Sequence, residues 1–228
     1  MLIGGLQKFS VIDYPGKICA IIFTVGCNFR CPYCHNPELA QGIGCNLINK
    51  KEVLEFLTSR IGKIEAVTIT GGEPTLHRDL INFIKKIKKL GFLIKLDSNG
   101  TNPEIIEKIL DKKLVDYIAM DIKGPIEKYS QIVEMDVNRD NIKKSIKLIM
   151  EKADDYEFRT TIVKSQISFD NFEKIGQLIK GAKNYYLQKF IITKTIDKKF
   201  MQETGYNDKE MNSIKKIMRK YVKNCYIR

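Results

Sequence analysis

Apolar residues follow two different periods along this chain, and together the two periods predict strands that alternate with helices. Continuous apolar and β-branched runs are typical of strands buried on both faces of a parallel sheet. Such runs predict six strands, at residues 17–24, 66–70, 92–96, 117–120, 156–163 and 186–193. Apolar residues at helical spacing predict six helices, at about residues 49–60, 79–90, 102–110, 140–152, 170–180 and 208–221.

The order of these elements predicts an α/β fold. Strands that alternate with helices form parallel sheets with right-handed crossovers. We expect a single domain over residues 1–228, with a core at about 15–195 and, at about 207–228, a C-terminal helix that a short strand could follow. The segment before the turn Tyr14-Pro15-Gly16 is assigned neither a strand nor a helix.

Local signals predict how some helices begin. Asn49 followed by Glu52 matches a capping box, in which the two residues bond to each other's backbone N–H. Asn102 precedes Pro103 and is predicted to be an N-cap, because proline is favoured at the first helical position. His77 is predicted to lie on the surface where the next helix starts.

Composition narrows the classes of function. The 228 residues are 43% hydrophobic and 29% charged, as in ordinary globular proteins, and the formal net charge is +12. The excess is mostly lysine spread over helix faces, which favours a solvated surface over a nucleic-acid site; attraction to an acidic protein partner is the alternative. The sequence shows no targeting segment and no apolar run of about 18 residues, so we expect a cytoplasmic protein without a membrane span.

Three cysteines crowd into the loop that follows the first predicted strand. Cys27, Cys31 and Cys34 are separated by three and then two residues. Thiolates are soft ligands that suit zinc, copper(I) and iron–sulfur clusters, and clustered cysteines in a cytoplasmic chain more often bind metal than form disulfides. The sequence does not identify the fourth ligand of such a site; His35 is one candidate, which would complete a four-coordinate zinc site. The other cysteines lack ligand-like spacing and are expected to be ordinary thiols: Cys19, Cys45 and Cys225.

Polar residues follow three further predicted strands. They are Gly71-Gly72-Glu73, Asp97-Ser98-Asn99 and Asp121-Ile122-Lys123. Because chemistry in α/β folds gathers at the carboxyl ends of the strands, we expect these clusters to meet the cysteine loop at one site. The glycines would let the backbone approach a ligand closely. The aspartates and the lysine could also form internal ion pairs that brace the strand ends.

The cysteine spacing, with Gly71-Gly72-Glu73 about forty residues later, resembles the signature of the radical S-adenosylmethionine enzymes. The runs at residues 10–16 and 34–39 are more narrowly similar to the glycyl-radical-enzyme activases, above all the anaerobic ribonucleoside-triphosphate reductase activating proteins. Pyruvate formate-lyase activating enzyme is also related. The resemblance covers nearly the whole chain and implies a partial (β/α)6 barrel of the radical S-adenosylmethionine type.

The resemblance also implies cofactors and partners. Cys27, Cys31 and Cys34 would hold a [4Fe-4S] cluster whose remaining iron binds S-adenosylmethionine. Reductive cleavage would give a 5′-deoxyadenosyl radical that takes a hydrogen atom from a glycine of a partner glycyl radical enzyme, with no residue acting as acid or base. Reduced flavodoxin or ferredoxin would be the electron donor, and no nucleic acid is expected.

The same resemblance assigns roles to the other candidate residues. The backbone of residues 71–73 would meet the methionyl amino group, and Tyr33 and His35 would frame the nucleobase. Asp97 and Asp121 would lie near the ribose or near a monovalent cation beside the cofactor carboxylate. Lys123 would pair with that carboxylate. Arg159 could pair with it too, or could form a structural salt bridge.

Two other functions stay open. The first is a radical S-adenosylmethionine enzyme that acts on a small molecule, similar to 7-carboxy-7-deazaguanine synthase. Against it stand Asp13-Tyr14-Pro15-Gly16 and His35-Asn36-Pro37, which resemble the activases. The second is a basic nucleic-acid-binding module whose zinc ligands are the three clustered cysteines and His35; it leaves the other strand-end clusters unexplained.

Overall fold

A single eight-stranded sheet forms the centre of the computed structural model, which describes residues 1–228. Its strands are β1 (Ile3–Tyr14), β2 (Lys17–Thr24), β3 (Ala66–Gly71), β4 (Leu93–Ser98), β5 (Tyr117–Asp121), β6 (Tyr156–Ile162), β7 (Asn184–Lys189) and β8 (Asn224–Ile227). They lie side by side in chain order. β1 is antiparallel to β2, and every later pair is parallel.

Eight α-helices connect or follow these strands. They are α1 (Pro37–Gln41), α2 (Lys50–Thr58), α3 (Leu80–Lys89), α4 (Pro103–Asp111), α5 (Tyr129–Val133), α6 (Arg139–Lys152), α7 (Asn171–Leu178) and α8 (Asp208–Met218). Short 3-10 helices lie at Pro74–Leu76, Ile126–Lys128 and Lys198–Gln202. None of the helices combines the length and the apolar character needed to span a membrane.

The amphipathic pattern of α3 illustrates how the helices pack. Leu80, Phe83, Ile84 and Ile87 are buried in the main core, and the lysines of this helix stand on its other face. Helical spacing therefore places one apolar stripe against the sheet. The predicted α/β class and the partial barrel are confirmed. The eight strands are the six predicted from apolar runs, the short C-terminal strand that the sequence allowed (β8), and β1. That residues 1–228 form one domain stays a prediction.

The N-terminal segment corrects one prediction, because it forms the 12-residue strand β1. It contains Gly4 and Gly5, its middle is largely exposed, and its pairing with β2 is interrupted by register shifts. An edge strand pairs with a single neighbour and is partly exposed, so it does not need a continuous apolar run. The pattern that identified the central strands therefore did not detect β1.

Strand β7 and two helix starts also differ from the predictions. β7 ends at Lys189, and Ile191 and Ile192 beyond it are exposed, so that apolar run does not continue the sheet. Asn49 caps α2 by accepting the N–H of Lys51, whereas the reciprocal capping box forms at the start of α8. Asn102 occupies the predicted N-cap position of α4 with Pro103 after it, but its side chain makes no capping bond, and its amide donates instead to the carbonyl of Thr75.

Candidate active site

The cysteine loop leaves β2 and folds back onto α1. The N–H of Gly26 donates to the carbonyl of Leu39 at 2.7 Å, and the N–H of Cys27 donates to Ala40 at 3.1 Å. The N–H of Cys34 donates to the carbonyl of Cys31 at 3.0 Å, which closes a tight turn between the second and third cysteines. All three thiols are free.

A cavity of about 390 Å³ opens beside this loop at the carboxyl ends of the parallel strands. All twelve predicted site residues line it: Cys27, Cys31, Tyr33, Cys34, His35, Gly71, Gly72, Glu73, Asp97, Asp121, Lys123 and Arg159. The remaining cysteines do not: Cys19 and Cys225 are buried elsewhere and Cys45 is half-buried. The fold therefore brings the predicted residues together, while the role of each one stays a prediction.

Gly71 and Gly72 carry the end of β3 against the cysteine loop. Gly71 has a φ of +108°, in the region that favours glycine. A Cβ on Gly72 would lie 2.1 Å from the carbonyl oxygen of Gly26. The close approach that Gly72 allows in this structure is to another backbone segment of the chain, and it fixes the position of the loop. The approach of this backbone to a ligand stays a prediction.

Glu73 is fully buried, and its carboxylate joins two strand ends. Oε1 accepts the N–H and the hydroxyl of Thr75 and, at 2.9 Å, the hydroxyl of Ser98. Oε2 accepts the N–H of Asn99 at 2.6 Å. Burial raises the pKa of Glu73 above its ordinary value, and these four donors reduce that rise because they favour the charged carboxylate. The side chain thus positions the turns that follow β3 and β4.

A row of alternating charges crosses the cavity from β4 to β6. Lys95 pairs with Asp97, and Arg159 donates from Nη1 to Asp97 at 3.1 Å and from Nε to Asp121 at 2.9 Å. Lys123 donates to the other oxygen of Asp121 at 3.1 Å. Arg159 thus makes the structural salt bridges that were one of its two predicted roles, and its contact with the cofactor stays a prediction.

Sequence reasoning missed Lys95, which is 3% exposed and lies on β4 two residues before Asp97. Residues two apart in a strand point to the same face, so the position of Lys95 could have been inferred from that of Asp97. A lone lysine inside an apolar run is a weak signal by itself. Here it supplies a buried positive charge beside the predicted site.

The neighbouring charges shift the pKa values of Asp97, Asp121 and Lys123. Burial acts to raise the pKa of Asp97 and Asp121, but the neighbouring guanidinium and ammonium groups outweigh it and lower both pKa values. Burial likewise acts to lower the pKa of Lys123, and Asp121 outweighs it, so the pKa of Lys123 is raised. All of these groups are therefore ionised at neutral pH.

The two aromatic residues of the cysteine loop have different surroundings. The His35 ring stacks on Phe190, with centroids 5.8 Å apart and planes 9° apart. Burial lowers the pKa of His35, so the neutral ring is favoured. Tyr33 is 4% exposed, and its hydroxyl has no hydrogen-bond partner. His77, predicted at the surface, is half-buried instead, and its Nε2 also lacks a partner.

Side-chain amides tie the cysteine loop to the end of β4. Asn99 donates to the amide oxygen of Asn28 at 2.8 Å, and Asn28 donates to the hydroxyl of Thr101 at 2.9 Å. Asn99 also lies 3.9 Å from the sulfur of Cys27. Asn99 belongs to a predicted polar cluster but was not singled out as a site residue, because an asparagine after a strand more often marks a turn.

The donor set fits a multi-iron cluster better than a single metal ion. No group of three or more histidine, cysteine or acidic side chains is arranged around one point, so the structure contains no preformed Cys3His shell for a single zinc ion. An iron–sulfur cluster binds cysteines at separate irons and does not need them to converge. The three thiols share a cavity of about 390 Å³ with polar groups that could bind another ligand. The buried, unpartnered hydroxyl of Tyr33 is a further polar group available there.

The comparisons with known proteins point to one superfamily. The Radical SAM superfamily model matches residues 21–186. A Methanocaldococcus jannaschii protein, provisionally named a glycyl-radical enzyme activating enzyme, is 35% identical over 234 aligned positions, which cover 100% of this chain and 95% of that protein. Pyruvate formate-lyase-activating enzyme of Clostridium pasteurianum is 29% identical, covering 80% of this chain and 77% of the enzyme.

Solved structures share the fold at low sequence identity. A radical SAM methyltransferase from Sphaerobacter thermophilus superposes with a TM-score of 0.73 at 15% identity, covering 96% of this chain and 68% of that one. A domain of pyruvate-formate lyase-activating enzyme from Bacteroides vulgatus gives 0.57 at 16% identity, covering 72% and 99%. SuiB of Streptococcus suis, solved with S-adenosylmethionine, gives 0.69 at 14% identity, covering 91% and 49%.

Proposed function

The chain belongs to the radical SAM superfamily and, within it, to the glycyl-radical-enzyme activating enzymes, and from this we propose that it activates an anaerobic ribonucleoside-triphosphate reductase. It is an enzyme of the superfamily that uses a [4Fe-4S] cluster and S-adenosylmethionine, and activases of this type act on a glycyl radical enzyme. The identity of that protein substrate is the new element of the proposal.

One observation carries the proposal: the three thiols share a single cavity with the ends of β3, β4, β5 and β6. Cys27, Cys31 and Cys34 would hold the cluster on one side. When bound there, the cluster would supply the electron for reductive cleavage of S-adenosylmethionine, the chemistry from which a radical on the partner's glycine would arise. The chain itself supplies binding, orientation and exclusion of water.

The charged and glycine residues would orient the cofactor. Lys123 makes one hydrogen bond from Nζ, to Asp121, which leaves further ammonium donors for the cofactor carboxylate. The N–H groups of Gly72 and Glu73 are bonded to the carbonyls of Thr24 and Gly26. Backbone carbonyls of this segment are therefore the groups that would accept the methionyl ammonium.

The aromatic pair would hold the nucleobase. Phe190 covers one face of His35, and in the proposed complex the adenine lies against the loop that contains His35 and Tyr33. Asp97 and Asp121 would lie toward the ribose. The monovalent cation predicted beside these carboxylates stays a separate question, because both already bind cationic side chains.

The choice of partner rests on local sequence. Asp13-Tyr14-Pro15-Gly16 and His35-Asn36-Pro37 resemble the reductase activases more than enzymes that act on small heterocycles. The net charge of +12 supports an acidic electron donor, for which we propose reduced flavodoxin or ferredoxin. The proposed setting is the cytoplasm, where clustered thiols stay reduced.

The test is an activation assay under anaerobic conditions. The protein is reconstituted with iron and sulfide, mixed with S-adenosylmethionine, a reductant and the anaerobic ribonucleotide reductase of the same organism, and examined by electron paramagnetic resonance. The expected result is a glycyl radical doublet together with 5′-deoxyadenosine. A pyruvate formate-lyase from the same source, where one exists, is the competing protein substrate.

Two variants make the assay specific. Cys31→Ala removes one predicted cluster ligand and is expected to abolish the cluster absorbance and the doublet, while Cys45→Ala, outside the cavity, is expected to change neither. Cluster formation with a doublet on another glycyl radical enzyme only would refute the proposed partner. Turnover of a free heterocycle without any doublet would favour the small-molecule alternative.

A further inference from the structure

One guanidinium lies between two carboxylates at the carboxyl ends of β4 and β5. Nη1 of Arg159 donates to Oδ2 of Asp97 at 3.1 Å, and Nε donates to Oδ1 of Asp121 at 2.9 Å. The Arg159 side chain is 12% exposed, so water screens these contacts weakly. Arg159 is therefore a fixed cation that both aspartates share.

The remaining oxygens of the two carboxylates are also occupied. Oδ1 of Asp97 accepts from Nζ of Lys95, and Oδ2 of Asp121 accepts from Nζ of Lys123 at 3.1 Å. Each of the four carboxylate oxygens thus accepts from a cationic group of the chain. The side chains of Lys95 and Asp97 are 4% and 13% exposed, which makes this a buried network and not a surface pair.

This arrangement does not fit the inorganic monovalent cation that the sequence resemblance implied at Asp97 and Asp121. Hard cations in proteins are held by oxygen ligands, and here an added ion would have to share every carboxylate oxygen with a cationic donor of the chain. Three positive side chains already compensate the two carboxylates and would repel a fourth positive charge at short range. Glu157 and Arg228 extend the network by one charge of each sign and leave this balance unchanged.

We propose that Arg159 is the built-in cation of this site. Its guanidinium takes the place of a bound sodium or potassium ion, and the one positive charge in excess is available to the carboxylate of S-adenosylmethionine. Arg159 is a positioning residue in this role, because it holds Asp97, Asp121 and, through Asp121, the ammonium of Lys123. Cofactor binding by this protein is consequently independent of the monovalent cation in solution.

The inference rests on the cofactor named in the proposed function but not on the identity of the protein partner. The test measures binding of S-adenosylmethionine to the cluster-loaded, full-length protein by anaerobic calorimetry. Solutions of potassium chloride, sodium chloride and choline chloride at equal ionic strength are compared, since choline is too large to replace an inorganic ion. Wild-type Kd values are expected to agree within about twofold in the three salts.

The variant Arg159→Met is the positive control, because its binding of S-adenosylmethionine is expected to depend on the salt. Methionine keeps an unbranched apolar stem but removes the charge, so the two carboxylates lose their shared cation. Binding by Arg159→Met is expected to weaken at least tenfold in choline chloride and to recover to within about threefold of wild type in potassium or sodium chloride. Arg159→Lys keeps the charge and should need no added ion, and Arg139→Met, on the exposed start of α6, should behave as wild type.

A second readout does not require the cofactor. Thermal unfolding of Arg159→Met is expected to shift upward when choline is replaced by potassium or sodium, whereas wild type should not shift. A wild-type protein whose Kd rises tenfold in choline would refute the inference, as would an Arg159→Met protein that needs no ion or that no ion restores. Failure to bind S-adenosylmethionine in every salt would overturn the proposed function as well. If Arg159→Met does not fold, the wild-type salt comparison alone decides.

Discussion

The carboxylate of Glu73 accepts the backbone N–H of Asn99 at 2.6 Å, so a single buried side chain joins the ends of β3 and β4. Asn99 is neutral, and no cationic side chain bonds to the Glu73 carboxylate. The stability of the carboxylate comes instead from the four donors that surround it. This makes Glu73 a structural part of the candidate site as well as a residue that lines it.

Replacing Glu73 is therefore expected to destabilise the fold. Glu73→Ala leaves four buried donors without an acceptor and should lower the free energy of unfolding by about 4 kcal/mol. Glu73→Gln keeps one oxygen but turns an amide toward a donor, and should cost about 2 kcal/mol. Urea unfolding of the cluster-free protein measures both values. Glu151→Ala, on the exposed face of α6, should change the free energy by less than about 0.5 kcal/mol, and equal effects in all three variants would contradict the assigned role.

A side chain at Gly72 should displace the cysteine loop. The Cβ of Gly72→Ala would lie 2.1 Å from the carbonyl oxygen of Gly26, one residue before Cys27. We expect a loss of at least about 2 kcal/mol in unfolding free energy and a lower iron content after reconstitution. Gly205→Ala is the matched control, since its Cβ would come no nearer than 3.5 Å to other atoms. Full iron loading of Gly72→Ala would show that the close approach is dispensable.

Removing the hydroxyl of Tyr33 should stabilise the protein when no ligand is bound. The hydroxyl is buried without a partner, and relieving that desolvation is worth about 1 kcal/mol in Tyr33→Phe. Tyr129→Phe should act in the opposite direction by a similar amount, because the Tyr129 hydroxyl accepts the N–H of Lys123 and donates to the carbonyl of Asp121. Chemical unfolding of the cluster-free variants compares the two signs, and a loss of stability in Tyr33→Phe would be inconsistent with an unpartnered group.

Acid should weaken the fold through the shared carboxylates. The pKa of Asp97 and of Asp121 is lower in the folded protein than in the unfolded chain, so the unfolded chain takes up protons first as the pH falls. Their contribution is therefore complete above about pH 4 and is lost progressively below it. Unfolding free energies measured between pH 6 and pH 2.5 should decline less steeply in Asp121→Asn than in wild type. Asp136→Asn, at an exposed position, should keep the wild-type slope, and identical slopes in all three proteins would contradict this attribution.

The sequence predicted the repeating strand–helix units at the centre of the fold. The central strands β2 to β6 appear where apolar runs were found, because strands buried on both faces need an unbroken run of such residues. β1 escaped detection since it pairs on one side only. The exposed Ile191 and Ile192 show the converse error, in which an apolar pair was taken for strand although the sheet ends at Lys189.

Positions in the candidate site were predicted better than contacts. The rule that parallel strands gather their ligand-binding residues at their carboxyl ends was enough to bring Cys31, Asp121 and Arg159 to one cavity. Which cation meets which carboxylate depends on side-chain geometry that a linear pattern does not contain. Lys95 shows this most clearly. It points to the same face of β4 as Asp97 and is buried there, so the two side chains pair with each other.

The first and last strands of the sheet are not bonded to each other, so the wall around the cavity has a seam between β1 and β8. Strands on either side of such a seam can separate without breaking a single ladder hydrogen bond. A closed barrel has no edge strands, whereas this sheet has one at each end, β1 and β8. A substrate whose reactive atom belongs to a polypeptide main chain has to pass two chain segments beyond the reaction centre, and an open sheet can widen to admit both more easily than a closed one.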